Sequence, residues 1–180
     1  MKLFETERLQ IRYFNSGDAQ DLFEYLSDEE VVKYEPYGVY PLEACREEAV
    51  NRAKNKSFLA VVLKDSGKLI GNLYFKKCHF ETWELGYAFN KKYQKKGYAT
   101  EAVLGLFQHA FLAGNVRRVV AMCNPENTNS WKLLERVGMI REGYFRENIY
   151  FRVNENNEPI WQDTYQYGIL CKDYLNREKQ

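Results

Sequence analysis

From Glu84 to Phe89 apolar and polar positions alternate strictly, so a strand there carries Leu85, Tyr87 and Phe89 on one face and Glu84, Gly86 and Ala88 on the other. A turn holding Lys91, Lys92, Lys95 and Lys96 follows, then Gly97. Apolar residues next fall at Ala99, Ala102, Val103, Leu106, Phe107, Ala110 and Phe111, which is the three-four repeat of a helix, and Gly114 stands where a C-cap belongs. The same two periods lay out the rest of the chain. Alternation predicts strands over Leu3 to Tyr13, Phe58 to Leu63 and Lys68 to Lys77, the last two joined around Asp65-Ser66-Gly67. It predicts others over Arg118 to Cys123, from Met139 to Val153, and over Ile160 to Leu170. Helical spacing predicts a helix after Asn15-Ser16-Gly17-Asp18 with Ala19, Leu22, Phe23 and Leu26 inward. A second runs from Pro41 to about Lys54 with a stripe of Cys45, Ala49 and Ala53, and a last one from Ser130 to Val137. The expectation is an α/β (α+β) domain of about seven strands and about four helices, spanning residues 1–180 as one unit.

The long helix begins in an unusual way. A helix start normally carries Ser, Thr, Asp or Asn to satisfy its free amides, but this one reads Gln94-Lys95-Lys96-Gly97-Tyr98-Ala99. Cations at the positive end of the helix dipole cost about 0.3 to 1 kcal/mol each. A bound phosphate would supply the missing cap, and Gly97 would let it reach the backbone. The alternative is an ordinary solvated lysine turn. The face of Glu84, Gly86 and Ala88 is similarly open to two explanations, a ligand lying close to the strand or a helix packed against it.

Composition narrows the classes. The 26 Lys and Arg nearly cancel the 25 Asp and Glu, so no global field points to nucleic acid or an anionic membrane. No apolar run approaches the roughly 20 residues that cross a bilayer, and the first residues turn polar too early for a signal peptide, which predicts a cytoplasmic protein. Cys45, Cys78, Cys123 and Cys171 lie far apart and His79 and His109 lack ligand spacing, so no metal site or disulfide framework is expected. The P-loop and the three-glycine dinucleotide fingerprint are both missing.

The run Gln94, Gly97 and Ala99 after a strand and at a helix start resembles the pyrophosphate loop of the GNAT superfamily of acyl-CoA-dependent N-acetyltransferases. Glu84-Leu85-Gly86-Tyr87 through Tyr98-Ala99-Thr100-Glu101-Ala102 looks like its RimJ/RimL-like branch, as do Glu5-Thr6-Glu7-Arg8-Leu9 with Arg12, Leu69-Ile70-Gly71, and Asn124-Pro125-Glu126-Asn127 with Ser130, Leu134-Glu135 and Gly138. These pieces stand in order along almost the whole chain. The resemblance implies a mixed, mostly antiparallel central sheet with acetyl-CoA as co-substrate. It implies cofactor contacts from Tyr87, Ala88, Phe89, Gln94, Lys95, Lys96, Gly97, Tyr98, Ala99 and Thr100, and from Asn127 toward the pantetheine amides, although Asn127 could equally cap the helix after it. A backbone amide between Tyr87 and Phe89 could hold the thioester oxygen.

Glu84 is the expected proton acceptor for the amine, directly or through water. Many relatives place a tyrosine as the acid that protonates the leaving thiolate, but that position here is Leu134, which leaves Ser130, solvent or a downstream tyrosine such as Tyr144. The loop Tyr34 to Tyr40 borders the acceptor site in the resembling family. Neutralising an α-amine of pKa near 8 at pH 7 costs only about 1 kcal/mol, against about 4 to 5 for a lysine. The expected function is therefore acetyl transfer in a ternary complex to the α-amine of a protein or peptide, by a monomer or homodimer. The alternatives are a small-molecule amine acceptor, a non-catalytic acyl-CoA-binding module, and a phosphate-binding regulator.

Overall fold

The computed structural model describes residues 2–113 and 116–177, so the cap expected at Gly114 lies outside the described residues. Eight strands form one sheet: β1 (Lys2–Glu5), β2 (Leu9–Tyr13), β3 (Phe58–Leu63), β4 (Leu69–Lys77), β5 (Thr82–Phe89), β6 (Arg118–Cys123), β7 (Ile140–Val153) and β8 (Pro159–Leu170). The α-helices are α1 (Ala19–Leu26), α2 (Glu29–Val32), α3 (Leu42–Lys54), α4 (Tyr98–Ala113), α5 (Thr128–Arg136) and α6 (Cys171–Arg177).

The count exceeds expectation by one strand and two helices. The stretch expected as one strand from Leu3 to Tyr13 folds back on itself as β1 and β2, because the Thr6 hydroxyl accepts from the Leu9 amide at 3.2 Å and the Thr6 amide donates to the Leu9 carbonyl at 2.9 Å. Alternation is clean only from Arg8 to Tyr13, and the polar run Glu5-Thr6-Glu7-Arg8, where the turn falls, is the break that a single strand from Leu3 passes over. The helix α2 is a single turn held by the Asp28 side chain, which accepts from the Glu30 amide.

The strand order is β1-β2-β3-β4-β5-β6-β8-β7, and every neighbouring pair is antiparallel except β5 with β6. That pair meets only where Thr82, Trp83 and Glu84 face Arg118, Val119 and Val120. Beyond Glu84 the two strands part, while β6 stays paired to β8 through Cys123 and β5 to β4 through Phe89. The sheet therefore opens as a V, leaving the edge of β5 from Leu85 to Phe89 without a strand partner on that side.

Two apolar layers clamp the sheet. On one face α4 sets Val103, Leu106 and Phe107 against Ile11, Val61, Leu85 and Val119, with Leu133 and Leu134 of α5 joining. On the other, Leu22, Tyr25 and Leu26 of α1 and Cys45 and Ala49 of α3 pack on Ala60, Val62, Leu69 and Ala88. The stripe of α3 includes Arg52, 1% exposed, in addition to the expected Ala53, which packs partly buried on the same cluster. Among the described residues no helix is long and apolar enough to cross a membrane.

Gly71 of β4 fixes how closely β4 and β5 approach. A Cβ there would stand 2.5 Å from the Ala88 carbonyl oxygen and 2.7 Å from Phe89 Cδ1. Both belong to the buried end of β5, so relief requires the strand to shift. Gly71→Ala is expected to cost about 1 to 3 kcal/mol as overpacking, a melting point lower by about 2 to 12 °C at 2 to 4 °C per kcal/mol. A thermal melt within a degree of wild type would show that the strands have slack there.

Candidate active site

The open edge of β5 is one wall of a cavity of about 350 Å³, a size suited to a small ligand or part of a larger one. Tyr87, Ala88 and Phe89 of β5 line it, with Gln94, Lys95 and Gly97 of the following loop, Tyr98, Ala99 and Thr100 of α4, and Asn127 and Ser130 at the start of α5. Eleven of the thirteen residues picked from the sequence thus meet in one place. Lys96 and Glu84 do not.

The loop is shaped by its own side chains. The Gln94 amide donates to the Phe89 carbonyl at 3.0 Å and ties the loop to the end of β5. Lys95 (φ 59°) and Gly97 (φ 84°) both take left-handed backbone, a conformation a lysine adopts rarely. From outside, Arg8 donates to the Lys96 carbonyl at 3.1 Å, packs 4.4 Å from the Tyr98 ring centre and pairs with Glu101 at 2.6 Å. Burial pushes the Glu101 carboxyl up, but hydrogen bonds from Thr6 and Arg8 outweigh it and hold it below the usual range. The one acidic residue in the first turn of α4 is thereby engaged away from the helix axis, with Thr6 at 2.6 Å and the Arg8 amide at 2.7 Å as partners. Among the described residues no side chain accepts from the amides of Gly97, Tyr98, Ala99 or Thr100.

Lys132 and Arg136 of α5 also line the cavity, with Arg136 donating to the Thr100 hydroxyl at 3.3 Å. Sequence reading missed both. Their i, i+4 spacing one turn into the predicted helix was the available signal. Lys96 is not on the wall, and its ammonium stands 5.5 Å from the ring centre of Tyr93, which is. The cations on the cavity wall are thus Lys91, paired with Glu30, and Lys95, Lys132 and Arg136.

Ser130 sits at the mouth of α5. Asn127 caps that helix, its side chain accepting from the Ser130 amide at 3.2 Å while the residue still lines the cavity. The Tyr87 hydroxyl donates to the Ser130 carbonyl at 3.1 Å and stands 2.9 Å from its hydroxyl. Burial drives the Tyr87 phenol well above its ordinary range, so it stays protonated and able to donate. Burial likewise pushes the Cys123 thiol up to about 11. Leu134 is fully buried in the core. Tyr144 is exposed and its hydroxyl bonds to Asp163, away from the cavity wall.

Glu84 stands apart from the other residues picked from the sequence. It occupies the closed end of the V, the last residue of β5 held by strands on both sides, and is not on the cavity wall. Of the bare face it shares with Gly86 and Ala88, only Ala88 reaches the cavity wall. The carboxylates on the wall are Glu30 and Glu35, with Tyr34 beside them. Glu30 forms an exposed ion pair with Lys91. Glu35 is half-buried, and burial pushes its carboxyl up to about 7, against the nearby Tyr37 hydroxyl and Arg52 charge that favour ionisation. Glu35 is the single carboxylate of the loop Tyr34 to Tyr40, and that is the signal in the sequence that marks it.

Comparison with known proteins agrees with this geometry. Residues 8–140 match the acetyltransferase (GNAT) domain family. The chain is 39% identical over 171 residues to the uncharacterized N-acetyltransferase YnaD of Bacillus subtilis, covering 94% of this chain and 97% of that one. The crystal structure of a GNAT-family acetyltransferase from Bacillus anthracis superposes with a TM-score of 0.85 at 38% identity, over 96% of this chain and 99% of that one. The ribosomal-protein-S5-alanine acetyltransferase from Vibrio fischeri superposes with a TM-score of 0.75 at 25% identity, over 97% and 98% of the two chains. An open β5–β6 fork facing an uncapped helix, and a family match over most of the length, lead to one conclusion: the chain belongs to the GNAT acetyltransferases, in a RimJ/RimL-like branch.

Proposed function

We propose that the protein transfers acetyl from acetyl-CoA to the α-amine of a protein or peptide, acting in the cytoplasm within a ternary complex. The observation that carries this is the joining of the unpartnered edge of β5 to the uncapped start of α4 in one cavity. The free amides at Gly97 to Thr100, with Lys95, Lys132 and Arg136, suit a diphosphate. The edge of β5 offers amides and carbonyls to the amide-bearing arm of the co-substrate, as a missing strand would. One such amide between Tyr87 and Phe89 would hold the thioester oxygen as charge develops on it.

Thioester aminolysis asks mainly for alignment, and holding two reactants together can supply effective molarities on the order of 10⁵ to 10⁸ M. The departing thiolate takes a proton from the Ser130 hydroxyl, which Tyr87 supports. An α-amine fits the acceptor side best. With Glu30 paired to Lys91, the wall presents one further carboxylate, Glu35, whereas a polyamine calls for several.

Two outcomes test this. CoA at 100 times its Kd is expected to stabilise the fold by about 2.7 kcal/mol, a rise of roughly 5 to 11 °C for a chain of this size. The Lys95→Ala, Arg136→Ala double variant is expected to lose most of that rise. Ser130→Ala is expected to lower kcat by up to about 10²-fold with little change in KM, as loss of a general acid to a good leaving group should. Thiol release measured over a panel of peptide and small amines identifies the acceptor, and a preference for polyamines over peptides would overturn the α-amine assignment.

A further inference from the structure

The amine must lose a proton, and the carboxylate expected to take it stands off the wall. We propose that Glu35, on the loop after α2, is the general base for the acceptor amine, acting directly or through one water, with Tyr37 and Arg52 behind it as positioning residues. This rests on the acetyl-transfer function proposed above. Glu35 shares the cavity with Tyr87, Ser130 and the end of β5, so the carboxylate and the site of the thioester face the same space.

Its surroundings suit the role. On its own loop Glu35 has Tyr37 beside it; from α3 it feels the guanidinium of Arg52; from β5 it faces the Tyr87 phenol. The other wall carboxylate, Glu30, is exposed and committed to Lys91. Arg52 is itself fixed, donating to Asn72 at 2.9 Å and pairing with Glu48 at 2.7 Å. Burial raises the Glu35 carboxyl to about 7, near the working pH, where a base is both ionised and strong enough to matter.

The step balances. The ammonium N–H bond breaks and its proton goes to Glu35, which becomes a neutral acid. The freed nitrogen lone pair attacks the thioester carbonyl, the C–N bond forms, and the C–S bond breaks. As the adduct collapses the nitrogen sheds its second proton to solvent and the thiolate takes one from Ser130, whose hydroxyl is restored by a proton from solvent; neutral amide and thiol leave, and Glu35 returns the first proton to solvent.

The test follows kcat across about pH 5.5 to 9 for wild type, Glu35→Gln, Glu84→Gln and Tyr37→Phe, with two acceptors of different amine pKa. Wild type is expected to show an acid limb near 7 that does not move with the acceptor. Glu35→Gln is expected to lose that limb and about 10²- to 10⁴-fold in kcat near neutrality, while still gaining thermal stability from CoA. Glu84→Gln is expected to keep the wild-type profile. Tyr37→Phe removes a group that favours the charged carboxylate, so its limb should move to higher pH. Because the folded carboxyl sits above its unfolded value, Glu35 contributes stability below the unfolded pKa that is lost as pH rises through about 7. Glu35→Gln should accordingly melt no lower than wild type above pH 7, which separates a lost base from a lost fold. An unchanged limb in Glu35→Gln, or its loss in Glu84→Gln instead, overturns the assignment while leaving acetyl transfer intact. Wild type that binds CoA but releases no thiol with any amine overturns both.

Discussion

Arg52→Ala is expected to lower the melting temperature by about 6 to 20 °C, taking 3 to 5 kcal/mol for breaking a buried charge network at 2 to 4 °C per kcal/mol. The side chain is 1% exposed and bonded on two sides, through Nε to Glu48 at 2.7 Å and through Nη1 to the Asn72 side chain at 2.9 Å. Asn72 also accepts from the Tyr25 hydroxyl at 2.9 Å, so the guanidinium links α3 to α1 through β4. It lies flat against apolar surface too, 4.4 Å from the Phe58 ring centre and 5.5 Å from that of Phe14. Alanine would leave Glu48 without its partner and open a cavity where the stem and the head now pack. The arrangement is not fully satisfied, since Nη2 has no hydrogen-bond partner among the described residues, and an orphaned buried donor costs about 1 to 3 kcal/mol. Arg52→Lys should therefore fall between the two, keeping the charge but losing the fork. A melt of Arg52→Ala within about 2 °C of wild type would mean that the network contributes nothing net.

Much of the fold follows from periodicity, because most elements bury one face only. Leu22 and Leu26 of α1, and Val103, Leu106 and Phe107 of α4, are buried as their spacing requires. Where one strand is read across a break in the pattern it misleads, as at β1 and β2, whose turn falls in the polar run Glu5-Thr6-Glu7-Arg8 and is closed by two bonds between Thr6 and Leu9. Arg52 was illegible for another reason. An arginine among alanines reads as the solvent side of a helix, and only tertiary contact with Asn72, Phe14 and Phe58 makes a buried place for it.

The candidate site divides along the same line. Most of the part proposed to hold the co-substrate lies within one continuous stretch, Tyr87 to Thr100, and a local run of residues can be recognised locally, whereas Lys132 and Arg136 are brought to it by α5. Its acceptor half is assembled from the loop after α2, from β5 and from α5, which meet only because β5 and β6 part. Glu84 looked eligible by alternation, yet its position one residue before the fork keeps it paired on both sides. The strand pattern says which face a residue is on. It does not say where along the strand the sheet opens.

Gly97→Asp is expected to reduce CoA affinity by about 10²-fold or more, because a like charge placed against a bound anion costs several kcal/mol, and at the same time to leave the fold nearly as stable as wild type. The two effects separate for a physical reason. Gly97 precedes the first residue of α4 and holds φ at 84°, where a side chain costs about 1 to 2 kcal/mol. The added Cβ would meet Arg8 Nη2 at 3.3 Å, the end of a flexible and half-exposed side chain that can give way. Against that strain, a carboxylate at the positive end of a helix gains about 0.3 to 1 kcal/mol. The net cost to folding is thus about 1 kcal/mol, and aspartate is among the residues that tolerate left-handed backbone best. Binding has no such compensation, since the new anion stands where a diphosphate would meet the amides of Gly97 to Thr100. The expected result is a melting curve a few degrees lower in the apo protein and almost no further rise when CoA is added. If the variant still gains most of the wild-type stabilisation from CoA, the phosphates lie elsewhere, and the uncapped start of α4 is only a solvated helix end.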